Sequence, residues 1–511
     1  MGTPDRRGRK ADRPVDRTRF EDSTVDVEAR SGFLLRHNRE YGANADLATG
    51  TAMVRALREF GVGASPAEVS NWERGAVAAP GRVIEAYEVL TGAAPGSLRG
   101  IVETMRRCYG AVRVAQRRRD QVVLGLDEVT SRCQVVFEGT PRGVDWLRFA
   151  DLLGDERVTL PAFLVVEPFT RLVSEMCRSI SVAYLTRYEA VASVLAGPYA
   201  PQARRAVLDA IRDEHAQVVM DPIVALSESP DPEVLGWLVG LLRDRRPNIA
   251  RGAVYAIDNA LVTGRVDDET VALIASAVVE AYPVLDERTR LASASVIRML
   301  PRDRVASLLD RVGDSAPANL GNLRTPEERA PLLEIAEAMH DEVNRLREHS
   351  GTEPLLSRLI YEAVFEERAT RRFHALSMLK AVPYYTTIAE VNATVAREHE
   401  ELLVRQLATE ALLHFGQAPS ADTVVELVTS ADPDRCRGGL VACAHQGIML
   451  PAELLEPLLD PEKPVWNTAF YAAGMTGHAL IDRFAEDPAA DRRLRGAAQW
   501  WRREGTAVRD Q

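Results

Sequence analysis

The sequence predicts an all-α protein in which a small cluster of short helices precedes a long array of paired antiparallel helices. Three observations lead there. Beyond about residue 160, apolar side chains recur at i, i+3, i+4, i+7, i+8 and i+11, the repeat of a helix with one buried stripe. Between 22 and 108, short apolar runs alternate with Gly42, Gly50, Gly61, Gly75, Gly92 and Gly96 at plausible helix ends. The chain has 511 residues, too many for one compact core and enough for about three ordinary domains.

In order, residues 1–20 hold seven basic and three acidic side chains with almost nothing apolar before Phe20, which predicts a disordered basic arm. Residues 21–109 form the small helical domain. Residues 110–160, with RVAQRRRD, an extended-looking CQVVFEG and a turn at Pro141-Arg142-Gly143, read as a junction without a sustained period. The array occupies 161–511.

Within the array, stripes begin at Ile249, Thr289, Arg371, Val404, Cys436 and Val465. The clearest runs Val404, Leu407, Ala408, Ala411, Leu412, Phe415, and its successor runs Cys436, Gly439, Leu440, Cys443, Ala444, Gly447. A partial unit follows at Leu494, Ala497, Ala498 and Trp501. An arginine stands one place after the stripe's start at Arg290, Arg372, Arg405, Arg437 and Arg495. Small residues on a stripe permit close helix approach, and no helix pair can bury its stripe without a neighbour. The pattern resembles HEAT/armadillo-like repeats, which implies an α-solenoid.

Composition narrows the function classes. The formal charge of −11 divides unevenly, +5 over residues 1–120 and −16 over the rest, so any nucleic-acid surface belongs to the N-terminal part. Lysine is rare: Lys10, Lys380 and Lys463 stand among 63 basic residues, an arginine bias of the kind a GC-rich bacterial genome gives. No apolar run is long enough for a membrane span and no secretory signal precedes the domain, so a cytoplasmic, nucleoid-associated location without membrane contact is expected. Five scattered cysteines are not a disulfide framework. Cys436 and Cys443 lie about 10.5 Å apart along a helix axis, beyond disulfide reach, and read as core.

The most informative stretch is Ser65-Pro-Ala-Glu-Val-Ser-Asn-Trp-Glu-Arg-Gly75. Ser65 is a good N-cap, Pro66 suits the first helical position, and Glu68 completes a capping box. Val69 and Trp72 share one face and can anchor the helix, while Gly75 can supply a left-handed stop. Ala67, Ser70, Asn71 and Arg74 are left outward.

These residues resemble the recognition helix of Cro/repressor-type (XRE) helix-turn-helix regulators, whose pattern S-x-x-x-[I/V]-S-x-W-E-x-G is met by Ser65, Val69, Ser70, Trp72, Glu73 and Gly75. Thr51–Val62 resembles the motif's first helix, and Arg82–Gly92 the helix that follows. The resemblance implies that the helix at Ser65 enters a DNA major groove. Ala67, Ser70 and Asn71 would then lie near base edges and Arg74 nearer phosphate, with Ser65, Arg55 and Arg58 as further DNA-binding residues. Val69, Trp72, Glu73 and Gly75 would hold the helix in place. Asn71 is suited to a bidentate contact with adenine. The sequence departs from the pattern twice: Gly63-Ala64 look inserted in the turn, and Met53 stands where the family usually has glutamine. Arg6, Arg7, Arg9, Lys10, Arg106, Arg107 and Arg117–Arg119 are candidates for further phosphate neutralisation.

No zinc-ligand spacing, H-E-x-x-H, G-x-S-x-G, dinucleotide fingerprint or Walker lysine motif is present, so no cofactor, metal or enzymatic activity is expected. The expectation is a transcriptional regulator bound as a homodimer to double-stranded DNA, its array dimerising, binding a protein or peptide, or sensing an effector. Two alternatives remain: a scaffold whose helix-turn-helix no longer binds DNA, and a HEAT-like glycosylase using Trp466, Trp500, Trp501, Asp460 and Asp482.

Overall fold

A computed structural model describes residues 13–110, 125–155, 157–264, 266–312, 323–349, 351, 353–415 and 421–510. The chain is all-α; among the described residues the only extended pairing is one bridge between Ser179 and Val508. No described helix is long and apolar enough to cross a membrane.

Five helices form the N-terminal part: α1 (Val27–Tyr41), α2 (Gly50–Glu59), α3 (Pro66–Glu73), α4 (Gly81–Thr91) and α5 (Ser97–Tyr109). Asp26 caps α1 and Thr49 caps α2, each through its side chain. Glu88 of α4 accepts the N–H groups of Gly96, Leu98 and Arg99, each at 2.8 Å, and so satisfies the start of α5.

Next come α6 (Leu126–Glu138), α7 (Gly143–Leu153), α8 (Val166–Cys177), α9 (Ser181–Leu195), α10 (Ala200–Arg212), α11 (Met220–Leu226), α12 (Pro232–Gly240), α13 (Pro247–Val262), α14 (Asp268–Ala281), α15 (Glu287–Met299) and α16 (Arg302–Val312). The second half holds α17 (Pro326–Leu346), α18 (Pro354–Phe365), α19 (Ala369–Lys380), α20 (Tyr385–Glu398), α21 (Leu402–Phe415), α22 (Ala421–Val428), α23 (Pro433–Gln446), α24 (Ala452–Leu455), α25 (Trp466–Thr476), α26 (Leu480–Glu486) and α27 (Arg492–Glu504). Helices pack on their chain neighbours and on the next but one, the arrangement of stacked helix pairs.

The striped helices stack side by side: α13 packs on both α15 and α19, and α19, α21, α23, α25 and α27 follow in succession. Val404, Ala408, Ala411, Cys436, Leu440, Cys443, Ala497 and Ala498 are all buried there. Small residues set the spacing: a Cβ on Gly474 would fall 1.9 Å from the indole of Trp501. Four of the five arginines after the stripe starts tie down backbone oxygens at the turns, Arg372 through Glu366 O (3.0 Å). Arg405 donates to His399 O (2.6 Å), Arg437 to Pro464 O (2.9 Å) and Arg495 to Pro488 O (2.7 Å).

Three expectations are corrected. CQVVFEG is helical, within α6: Val129, Cys133 and Val136 fall on one face against α7, Phe137 meets Phe149 edge-on, and that packing overrides the local preference of β-branched residues. Residues 13–20 are ordered, and the rest of the expected arm lies outside the described residues. Asp16 is fully buried against Arg30 (2.7 Å), while Phe20 sits under the guanidiniums of Arg329 and Arg358 and edge-on to Tyr361. Nor does the N-terminal part keep a core of its own, since a continuous apolar cluster joins α1–α5 to residues 332–411.

Helix α1 is the shared wall, buried all round. On one side Arg30 pairs with Glu362 of α18 (2.7 Å), and Asn38 donates to Ala381 O (3.0 Å). Burial would raise the Glu362 carboxyl, but Arg30, Arg371 and Arg358 hold it down to about 2. Helix α5 reaches further, packing on α9, α13 and α19.

The end of the chain returns to the array's first helices. Val508 N donates to Arg178 O (2.8 Å), Asp510 accepts from Gly143 N (2.8 Å) and pairs with Arg187 (3.0 Å), and Arg503 pairs with Asp213 (2.5 Å). The array therefore encloses space, including a cavity of about 1130 Å³ bordered by the 213–221 segment, α13, α23, α25 and α27.

Candidate nucleic-acid interface

The interface is built from α2, α3 and the turn between them. Helix α3 begins as the sequence dictates: Glu68 N donates to Ser65 Oγ (3.3 Å), and Ser65 N donates back to the Glu68 carboxylate (2.8 Å). Ser65 Oγ also donates to that carboxylate (2.7 Å), so the hydroxyl is committed to the cap rather than left for DNA. These bonds hold the Glu68 carboxyl below its ordinary value.

The inward face is fixed by three side chains. Val69 and Trp72 are buried in the common core, and Glu73 is buried beside them. Arg39 of α1 grips the Glu73 carboxylate with both arms (2.6 and 2.8 Å), and Tyr87 of α4 donates to it as well (2.9 Å). A bidentate guanidinium–carboxylate pair fixes orientation as well as distance, so α3 cannot roll on α1. The glutamate in the motif thus has a structural task, and its partner lies 34 residues upstream.

Two glycines permit the close approach. Gly75 has φ of +70°, and a Cβ there would stand 2.4 Å from Ala29 Cα. Gly32, within α1, faces the same contact: its Cβ would lie 2.6 Å from Trp72 O. Motif matching missed Gly32; the available signal was a glycine inside an otherwise good helix, where it costs about 1 kcal/mol unless something must come close.

The outward face carries Ala67 and Arg74, both exposed, with Ser70 and Asn71 half-buried. Arg74 folds back, donating to Asn71 Oδ1 (2.6 Å) and Ser70 O (3.2 Å), so two of the expected recognition residues share a hydrogen bond. Arg55 and Arg58 of α2 and Arg82 of α4 are exposed, and Arg58 braces the turn by donating to Ala64 O (3.0 Å). The inserted-looking Gly63-Ala64 is accommodated because Val62 and Ala64 are both buried, with Gly61 turning at φ +86°. Met53 is wholly buried, so it replaces the family's polar contact with core packing.

Other candidates fall elsewhere. Arg106 pairs with Glu28 (3.0 Å), and Arg107 is buried between Glu189 (2.9 Å) and Glu228. Neither faces a duplex. Arg6, Arg7, Arg9, Lys10 and Arg117–Arg119 lie outside the described residues. The glycosylase set is dispersed: Trp500 and Trp501 are core, Trp466 borders the large cavity, and Asp460 and Asp482 are exposed apart from that cavity's walls. Cys436 and Cys443 are buried in the array's core.

No family model matches the chain, and no curated protein matches it. Among solved structures, an engineered protein aligns over 74% of this chain and 98% of its own at 14% identity, with a TM-score of 0.21. Microtubule-polymerase TOG domain arrays, solved for their recruitment and assembly of tubulin, align over 68% of this chain and 99% of their own at 10% identity and a TM-score of 0.19. Scores of this size establish no shared fold.

Proposed function

We propose that the chain is a sequence-specific DNA-binding regulator in which α3 enters the major groove and the helical array responds to an effector or partner. One observation carries the reading: α3 is locked inward by Val69, Trp72 and Glu73 while its outward face keeps Ala67 and Arg74 exposed and Ser70 and Asn71 partly so in the assembled chain, flanked by Arg55, Arg58 and Arg82. Asn71 supplies adenine readout once its bond from Arg74 is exchanged for a base, which leaves Arg74 to reach a phosphate. Two chains reading half-sites about one helical turn apart supply the contacts that a single weakly basic helix lacks. The chain acts by binding, without catalysis.

The test is selection of binding sites from a random DNA pool by the full-length protein, repeated with Asn71→Ala. The expected result is one enriched, two-fold symmetric site, with about 1–3 kcal/mol of discrimination lost at one position per half-site in the variant. No enrichment at moderate salt would overturn the reading in favour of a protein scaffold.

A further inference from the structure

A second cavity, of about 500 Å³, lies where the inner helices of both halves of the array meet α5. That volume suits a small organic ligand. Most polar groups in its wall already have partners. Tyr184 donates to Asp221 (2.9 Å), Tyr188 to Glu228 (3.1 Å) and Thr370 to Asp258 (2.5 Å), while Arg372 pairs with Glu410 (3.4 Å).

Lys380 differs. It ends α19 and lines the cavity, yet among the described residues no carboxylate, hydroxyl or carbonyl accepts from its ammonium. Burial pushes that ammonium down to about 8. The neighbouring His445 gives no relief: desolvation and the nearby cations hold it down to about 3, so it is neutral at pH 7. Phe373, in the same wall, leaves 41% of its surface open. A partly buried cation with no acceptor beside uncovered aromatic surface is a pairing left open in the empty protein, and a ligand bearing an acid group on an apolar body completes it. A chain with 3 lysines among 63 basic residues places one here, where a compact ammonium suits a single acid group better than a forked guanidinium.

We propose that this cavity binds a small organic acid, its carboxylate or phosphate paired with Lys380 and its aromatic or aliphatic body against Phe373, Tyr255 and Tyr471. An occupant would touch both elements that carry the N-terminal helices. Thr104 and Cys108 of α5 line the cavity, and Ala381, next to Lys380, accepts the hydrogen bond from Asn38 of α1. Only the regulatory consequence rests on the DNA-binding reading; the site does not.

The experiment uses the full-length protein without DNA and two fluorescent probes, the anionic 1-anilinonaphthalene-8-sulfonate and its uncharged relative N-phenyl-1-naphthylamine. The native protein is expected to bind the sulfonate at one saturable site. Lys380→Met should weaken the sulfonate about tenfold, the worth of one charge-assisted pair, and the neutral probe less than about twofold. Phe373→Ala should weaken both. Displacement of the sulfonate by 1-naphthaleneacetate or by 1-naphthyl phosphate supports the site and tells a carboxylate ligand from a phosphate one. Absence of saturable sulfonate binding, equal losses of both probes in Lys380→Met, or displacement by neither acid would overturn the proposal. Because the titration contains no DNA, its failure is distinct from a failure to select a DNA site.

Discussion

Glu73 is a buried charge and Lys380 a partly buried one, and the fold treats them in opposite ways. The carboxylate of Glu73 is met by Arg39 on two sides and by Tyr87 on a third, so it fixes α3 to α1 and leaves nothing to bind. The ammonium of Lys380 meets no acceptor among the described residues and lines an open cavity. A buried charge with its partners supplied orients structure, whereas a partly buried one that lines a cavity without them makes a place for an outside partner.

The contact that surrounds Glu73 is the one most easily broken. Gly75→Ala sets a Cβ into the Ala29 backbone at a position already left-handed. It should destabilise the N-terminal helices by more than about 3 kcal/mol, read from the denaturant midpoint of the full chain. Glu73→Ala takes the bidentate partner from Arg39, leaving it Glu40 (3.3 Å) and the Ala48 carbonyl, and should cost about 1–3 kcal/mol, with Glu73→Gln costing less because it still accepts hydrogen bonds. If Glu73→Ala is neutral, the pair does not hold α3.

Lys380→Met should act in the opposite direction, raising the stability of the ligand-free protein by roughly 1–3 kcal/mol at pH 7. The sign follows from burial: the ammonium titrates near 8 when folded but near 10.5 when unfolded, so the unfolded chain holds more protons between those values. The native protein therefore gains stability from this group as pH rises from 8 to 10.5, and the variant lacks that gain. The difference between the two unfolding curves isolates it from the tyrosines and arginines that titrate nearby. The smallest effect is expected at the exposed face of α2, where Arg55→Ala should leave stability within about 0.5 kcal/mol and reduce the slope of log K against log salt by about 0.9 if it meets a phosphate.

What could be read from the sequence follows the range of the interactions. The cap at Ser65, the anchors Val69 and Trp72 and the turn at Gly75 are local, and each stands where the pattern put it. The stripes from Ile249 to Leu494 were legible because a 3.6-residue period survives changes of side chain. The partner of Glu73, the role of Gly32 and the burial of Arg107 depend on residues 34 to 121 positions away, which no local pattern encodes. The segments misjudged, residues 13–20 and 126–138, are polar or β-branched by composition and take their order from neighbours, Arg30 and Phe149 among them. The cavity was invisible for the same reason, its only trace being a lysine in an arginine-rich chain.

An open stack of repeats can fray inward from either end, each unit lost independently. Here Val508 and Asp510 are fastened to the first helices of the same stack, at Arg178, Gly143 and Arg187. A stack clasped in this way lacks a loose end from which to peel, so melting should be all-or-none, and removing a handful of C-terminal residues should loosen helices more than 300 positions away in sequence.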